Sequence, residues 1–436
     1  MTDNYDAIIL GGGAAGMMCA MRAGQRGRRV LVIEKAPKPG AKILISGGGR
    51  CNFTNIHTAP DRFLSANPHF VKSALSRYTA RDFLNLVEAH GIAWHEKTLG
   101  QLFCDGSARQ IVDMLVDEVE RAGGTFALGQ EIASISHDGD NYAVQTQDGS
   151  FTAPKLVIAT GGPSIPKMGA TGFAYDLARQ FWLKVVEPRP ALVPLTLKGE
   201  DLLFRELSGV SSDVTAIAGK TRFREAALFT HRGLSGPAIL QISSYWRPGE
   251  SIAIDFFPDR PADWLLTAKL ESPRRMFRSL LADALPERLA AVLAEKLDLD
   301  GPLQELADKR LRAAQERLAR WPFTPSGSEG FAKAEVTIGG IATAELSSQT
   351  MEAKKRPGLY AIGEAVDVTG WLAGRLQLPM GVGQRLRLRR GDLAPISVGE
   401  TPPRRLHLQR KPVCALGCRK RAGRRSQPGS WPRQLD

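Results

Sequence analysis

Residues 5–10, Tyr-Asp-Ala-Ile-Ile-Leu, form a short apolar run that stops at glycine, and 29–33, Arg-Val-Leu-Val-Ile, form a second that stops at Glu34. Runs of this length between turn residues predict buried strands, and the Gly-rich, small-residue text from Gly11 to Gly27 predicts a turn and a helix, so 5–35 reads as one βαβ unit. Ala108, Ile111, Val112, Leu115, Val116 and Val119 share one face of a helix expected over 107–123, stopped by Gly123-Gly124. Alternation across 125–151 (Thr125-Phe-Ala-Leu, then Tyr142-Ala-Val-Gln-Thr, with a turn at Asp148-Gly149) predicts a strand and hairpin system. Lys155-Leu-Val-Ile-Ala159 predicts a further buried strand running straight into Thr160-Gly161-Gly162. From about Arg189 to Thr324 the text changes, first to apolar alternation with turns as far as Phe257 and then to charged helical text through 320, which reads as an inserted α+β domain. Ala334-Glu-Val-Thr-Ile338 with Gly339-Gly340, and Gly358-Leu-Tyr-Ala-Ile-Gly363, return to the strand-then-glycine style of the beginning.

The 436 residues are 43% apolar and 24% charged, with 44 Gly and 27 Pro, a globular composition that excludes pervasive disorder, collagen-like repetition and disulfide miniproteins. The five Cys show no CxxC pair, which points to a reducing compartment. The first residues lack the basic and long apolar regions of a signal peptide, and no apolar stretch approaches a membrane span, so a cytoplasmic protein without membrane contact is expected. The net charge of +13 is not spread evenly: residues 375–436 carry 15 Lys plus Arg against 3 Asp plus Glu, leaving 43 against 42 for residues 1–374. That basic segment has 13 Arg, seven Pro, a single aromatic (Trp431) and no sustained apolar period, so it is expected to be disordered or to form only short helices.

Gly11-Gly12-Gly13-Ala14-Ala15-Gly16 fits GxGxxG after a strand and before a helix, where glycines permit a tight turn and the approach of backbone N–H groups to a pyrophosphate. Glu34, ending the second strand, is placed to accept from ribose hydroxyls and disfavours a 2′-phosphate. Strand, helix and acid together predict a dinucleotide site. FAD is favoured over NAD by two distant pieces. Gly358 to Gly363 followed by Glu364 has the strand, glycine, acid form that holds the ribityl and pyrophosphate part of FAD, and 155–162 has the form of the return strand of two-dinucleotide flavoproteins. Each piece alone is also an ordinary buried strand with a glycine turn; their joint order points to FAD.

In Lys42-Ile-Leu-Ile-Ser-Gly-Gly-Gly-Arg-Cys-Asn-Phe-Thr-Asn55, three glycines beside Arg50, Asn52 and Asn55 would bring backbone donors and a fixed cation to an anion or flavin edge. Here the chain resembles the BaiN/RsdA-like bacterial flavoproteins, NAD(P)/FAD-dependent oxidoreductases of 3-dehydro-bile-acid Δ4,6-reductase type. The resemblance also rests on Phe229-Thr-His-Arg-Gly-Leu-Ser-Gly-Pro237, Val336-Thr-Ile-Gly-Gly-Ile341, Thr350-Met-Glu352 and Gly358 to Gly370, and extends over 5–374. It implies an α/β fold in which a Rossmann-like FAD-binding domain of two-dinucleotide type (1–188 with 331–374) is interrupted by an inserted β-barrel-plus-helices domain (189–330). Carried over by matching positions, it implies flavin contacts at Gly11, Gly13, Ala15, Gly16, Glu34, Lys35, Lys42, Gly47, Arg50, Cys51, Asn52, Thr160, Gly161, Gly363, Glu364 and Asp367. It singles out no catalytic residue.

The resemblance stops at Arg375, where the family continues Gly-Tyr-Asn-x-Gln-Trp-Ala-Trp and opens a helix facing the flavin ring; this chain instead reads Arg375-Leu-Gln-Leu-Pro-Met-Gly-Val382. A coding string for the family text, read one base out of phase, spells Leu-Gln-Leu-Pro-Met-Gly-Val, and a one-base insertion near codon 374 is expected to have replaced the original C-terminus. Cys51 reads either as a redox thiol or, in preference, as a small residue packed beside the flavin. His231 reads as a structural donor before it reads as an acid. Cys414 and Cys418 near His407 fit no four-ligand spacing, and no metal is expected. The expected function is an FAD-dependent oxidoreductase passing hydride from NAD(P)H, bound transiently, to a small organic acceptor such as an activated C=C. The alternatives are a flavin-containing nucleic-acid-binding or RNA-modifying protein using the basic tail, disfavoured because the body is neutral and the tail lacks interleaved aromatics, and a defective flavoprotein. Oligomeric state is left open.

Overall fold

The computed structural model describes residues 3–372. Four strands of a five-stranded parallel sheet come from the first half of the chain: β1 (Ala7–Leu10), followed by α1 (Ala14–Gly24), then β2 (Val30–Glu34), α2 (Ala108–Arg121), β3 (Thr125–Leu128) and β4 (Leu156–Ile158). The fifth strand comes from the far end of the described chain. Between them β5 (Val185–Ala191) and β6 (Val336–Ile341) pair with each other antiparallel, and β7 (Leu359–Ala361) then joins β4, so that the sheet order is β7, β4, β1, β2, β3. β1, β2, β4 and β7 are buried along almost their whole length, which is why they are written as continuous apolar runs.

The register decides where a ligand can sit. Leu10 stands beside Ile33 on one side and Ile158 on the other, and Ile158 stands beside Ala361. All these strands run the same way, so Gly11, Glu34, Ala159-Thr160 and Ile362-Gly363 emerge together at the carboxyl edge of the sheet, the edge at which open parallel sheets bind ligands. Side-chain packing follows: the core built on this sheet draws residues from Ile8 to Leu183 and again from Ile341 to Val368.

A second core, from Leu195 to Phe323, is built on a seven-stranded sheet with antiparallel neighbours throughout and on helices that include Glu287–Lys296 and Asp308–Ala319. A small cluster of Ala191, Leu192 and Val336 lies where the chain passes between the two. The fold is therefore mixed α/β with a parallel Rossmann-like core and a segment carrying its own core in between.

The text over 125–151 divides differently from the expected hairpin system. Thr125–Leu128 is an outer strand of the parallel sheet beside β2, and Ile132–His137, which the alternation did not single out, pairs antiparallel with Tyr142–Thr146. β3 is half exposed, and a half-exposed outer strand carries the same alternation as a hairpin arm. The helix expected over 107–123 spans 108–121 and starts with a capping box in which Ser107 and Gln110 satisfy each other's backbone N–H groups.

Candidate functional site

At the carboxyl edge, α1 begins at Gly13 with no side-chain cap and no acidic residue in its first turn, so its first N–H groups and its positive dipole end are left for an outside anion. A Cβ on Gly13 would meet nothing within 4 Å, whereas one on Gly16 would stand 1.9 Å from the Gly11 carbonyl oxygen. Gly16 thus lets helix and strand touch, and Gly13 leaves room above the helix end. Ala15, in the first turn, packs against Gly363: a Cβ there would lie 2.8 Å from that of Ala15. Residues separated by most of the chain are therefore in contact at this edge.

Glu34 extends the binding edge from β2. Its carboxylate accepts from the amides of Gly12 (2.6 Å) and Ala36 (2.8 Å), which fixes it beside the Gly-rich turn while each oxygen keeps lone-pair capacity for a further donor. The Lys35 side chain is committed elsewhere, to Glu131 at 2.7 Å in an exposed pair.

Across the edge, Lys42, Ser164 and Glu364 form a closed polar triangle. The Lys42 ammonium donates to Ser164 Oγ and to Glu364 Oε2, each at 2.7 Å, Ser164 Oγ donates to Glu364 Oε1 at 2.6 Å, and the Thr337 amide donates to the same Oε1 at 2.9 Å. Four segments distant in sequence meet there. Gly161 closes in on this triangle, its added Cβ lying 4.0 Å from Glu364 Oε2. An ammonium has three donors, so Lys42 keeps one for a ligand. Ser164 and Thr337 were not among the residues expected at the site. Both lie inside text already noted, Thr337 within the Val336 to Ile341 motif and Ser164 two residues beyond Gly162, but nothing local marks either as the partner of Glu364.

Among the buried side-chain atoms without a partner in the described residues are Thr160 Oγ1 and Asn52 Oδ1. Asn52 is held by its amide, which donates to Gln101 Oε1 at 3.1 Å, so its oxygen is oriented and unused. A buried hydroxyl left unsatisfied where β4 runs into Gly161, and a buried acceptor left unsatisfied beside Gly47, are what a polar ligand would complete. The uncapped helix, the open space over Gly13, Thr160 and Asn52 together fit a dinucleotide such as FAD.

Gly47 and Gly48, both left-handed at φ 58° and 68°, turn the chain back, and an added Cβ on Gly47 would meet the Phe103 ring at 2.7 Å and the Asn52 amide at 2.8 Å. Arg50 extends from this turn, exposed and without an ion pair among the described residues. Cys51 is fully buried; burial pushes its thiol up to about 12, a bond with Ser46 pulls it partly back, and Cys104 adds to the rise. Its surroundings fit packing and not thiolate chemistry. Asp367 is also buried, its carboxyl raised by desolvation and held back by the amides of Ala66 and Gly339; it accepts from Ala66 N at 3.1 Å and so ties the chain together beneath the edge. His231 lies exposed in the turn after Thr221–Thr230. Among the described residues no helix is long and apolar enough to cross a membrane. The tail from 375 onward, with its expected change of reading frame and Cys414, Cys418 and His407, lies outside the described residues.

The chain is 51% identical over 381 residues to a ribosomal RNA dihydrouridine synthase of Escherichia coli, covering 85% of this chain and 94% of that protein. It is 44% identical over 382 residues to one of Haemophilus influenzae, covering 86% and 95%. To the 3-dehydro-bile acid delta(4,6)-reductase of Clostridium scindens it is 27% identical over 391 residues, covering 84% and 94%. The resemblance expected from the sequence thus holds at the level of the broad family and not of the bile-acid reductase subfamily. Residues 5–379 match the family described as HI0933-like protein Rossmann domain, and the chain belongs to that family of flavoprotein oxidoreductases.

Proposed function

We propose that this chain is an FAD-dependent enzyme that reduces uridine to dihydrouridine in ribosomal RNA, with NAD(P)H as the source of hydride. The observation that carries this reading is 51% identity to a ribosomal RNA dihydrouridine synthase along 94% of that protein's length. The chemistry agrees with the acceptor expected from the sequence, because uracil C5=C6 is conjugated with the C4 carbonyl and is an activated C=C. From the sequence alone an RNA-modifying role ranks below a small-molecule reductase and is attached to the basic tail. The family match ends at 379, so the relationship rests on the body of the chain and needs no tail.

FAD, when bound, supplies a hydride donor of suitable potential. The uncapped N-terminus of α1 would hold the pyrophosphate, Glu34 would accept from the adenosine ribose while keeping its grip on Gly12 and Ala36, and Thr160 and Asn52 would offer their unused hydrogen-bonding atoms to the cofactor. Glu364 pins Lys42, whose ammonium keeps one N–H for a ligand oxygen.

The test is to incubate purified full-length protein and NADPH with ribosomal RNA lacking dihydrouridine and to seek, by nucleoside mass spectrometry, uridines that have gained two hydrogens. Flavin-dependent formation of dihydrouridine is expected. Reduction of a steroid-like enone with ribosomal RNA left untouched would overturn the proposal.

A further inference from the structure

The carboxyl edge continues into a second surface through Thr337. Its amide holds Glu364, its carbonyl accepts from Thr369 Oγ1 at 2.9 Å, and it stands beside Pro190 in the ladder between β5 and β6. Arg189, one residue before Pro190, and Trp371, two after Thr369, are therefore anchored to the same strand that fixes the polar triangle.

Around them lies a group of cations and aromatic rings. Arg189 pairs in register with Ile338 and is half-buried. Ser243 Oγ accepts from Val193 N at 3.0 Å and Ser244 Oγ from Leu192 N at 3.4 Å, which brings the chain that follows, with Tyr245 and Arg247, against the end of β5. Trp371 Nε1 donates to Tyr245 Oη at 2.6 Å, the Arg62 guanidinium lies over the Trp371 ring at 4.8 Å, and Phe223 meets that ring edge-on at 4.8 Å.

Among the described residues no carboxylate pairs with the side chain of Arg62, Arg189 or Arg247; Glu250 accepts only the backbone amide of Arg247, at 3.2 Å, and Asp61 acts on Tyr245. Burial, and then the charge of Arg247, lowers the pKa of Arg189. A half-buried guanidinium beside another, with no carboxylate paired to it among the described residues, is a cost that an outside anion would relieve. Guanidinium forks suit phosphates, and rings rigidly held beside them suit stacked bases.

We propose that the face formed by Arg62, Arg189, Tyr245, Arg247 and Trp371 is the RNA-binding surface, gripping the phosphates and one base of the single strand next to the nucleotide presented to the polar triangle. This rests on the RNA-modifying reading above and adds where and how the strand is held. A single strand is the form that fits, because a base must leave its stack to reach an edge lined by backbone.

The test uses full-length protein and a fluorescein-labelled oligouridine, with anisotropy measured over a range of salt. The Arg189→Gln, Arg247→Gln double variant is expected to bind about tenfold more weakly and to lose about 1.4 from the slope of log K against log salt, two phosphate contacts at about 0.7 each. The corresponding lysine pair is expected to keep the slope, which separates lost charge from lost folding, with flavin absorbance per chain as the check on both. Arg62→Gln is expected to weaken binding several-fold, and Arg274→Gln with Arg312→Gln, exposed arginines of the inserted segment, to change nothing. On ribosomal RNA the glutamine pair should raise KM for RNA and leave KM for NADPH alone. An unchanged slope in the glutamine pair, an equal loss in the Arg274 and Arg312 control, or a rise confined to KM for NADPH would each overturn this surface while wild-type dihydrouridine formation leaves the enzyme reading standing. Failure of the wild type both to bind oligouridine and to form dihydrouridine would instead remove the functional reading and the surface with it.

Discussion

Gly16 shows how little tolerance the site has at the level of single atoms. A methyl group there would stand 1.9 Å from the Gly11 carbonyl oxygen, a backbone atom that cannot rotate away. Gly16→Ala is expected to destabilise the fold by about 1–3 kcal/mol, the usual cost of overpacking, and to yield flavin-free protein; denaturant midpoints and absorbance read the two effects. Buried acids make a second residue-scale prediction. Burial pushes Cys19 and Cys51 from 9.0 to about 12, and Tyr78 and Tyr142 from 10.0 to about 12. A pKa raised in the folded state means that the unfolded chain releases its protons first. The stability contributed by these groups is therefore whole below about pH 9 and is lost as pH climbs toward 12. Melting temperature should fall steeply over that alkaline window, and peptide mapping after alkylation at pH 8 should find Cys51 unmodified until the chain is unfolded.

Among the elements, α1 and α2 begin in opposite ways. α2 has its capping box, and Ser107→Ala is expected to cost about 1 kcal/mol. α1 has neither cap nor acid, an omission that weakens the flavin-free helix and serves an anion. Ala14→Asp should therefore act in two directions, stabilising the flavin-free chain by about 0.3–1 kcal/mol and weakening flavin retention, because the new carboxylate takes the donors and repels the pyrophosphate. Thermal scans with and without added FAD distinguish the two; stabilisation in both would count against a pyrophosphate at this helix. β3 carries the matching lesson about legibility. Its half-exposed text gave no means of choosing between hairpin arm and outer parallel strand, since the choice depends on whether β2 offers an open side.

Over the whole molecule, two apolar cores are joined by the small Ala191, Leu192 and Val336 cluster and by the contacts of Trp371. Leu289 is wholly buried in the second core, and Leu289→Ala should cost about 2–5 kcal/mol. Because the cofactor edge belongs to the other core, far-ultraviolet ellipticity should begin to fall below the temperature at which flavin is released in that variant. Coincident transitions would mean that the two cores unfold as one cooperative unit.

The sequence by itself determined the buried strands of the parallel core, the Gly-rich turn, the acid at Glu34 and the return of flavin-type text near Gly363, because each is a local pattern in which a few neighbouring residues carry the whole signal. The motif around Lys42 to Asn55 was legible for the same reason. What only the tertiary structure decided is which of these act together. Parallel register places Gly11, Glu34, Thr160 and Gly363 on one edge, and packing closes Lys42, Ser164 and Glu364 into a triangle, with the Thr337 amide on Glu364, that no spacing in the chain encodes. Packing also turned Cys51 and Asp367 inward, tied Lys35 to Glu131, and left Arg189 and Arg247 side by side with no carboxylate paired to either side chain among the described residues. Whether a charged side chain is neutralised depends on what the folded chain brings within a few ångströms of it, and a linear sequence does not hold that distance.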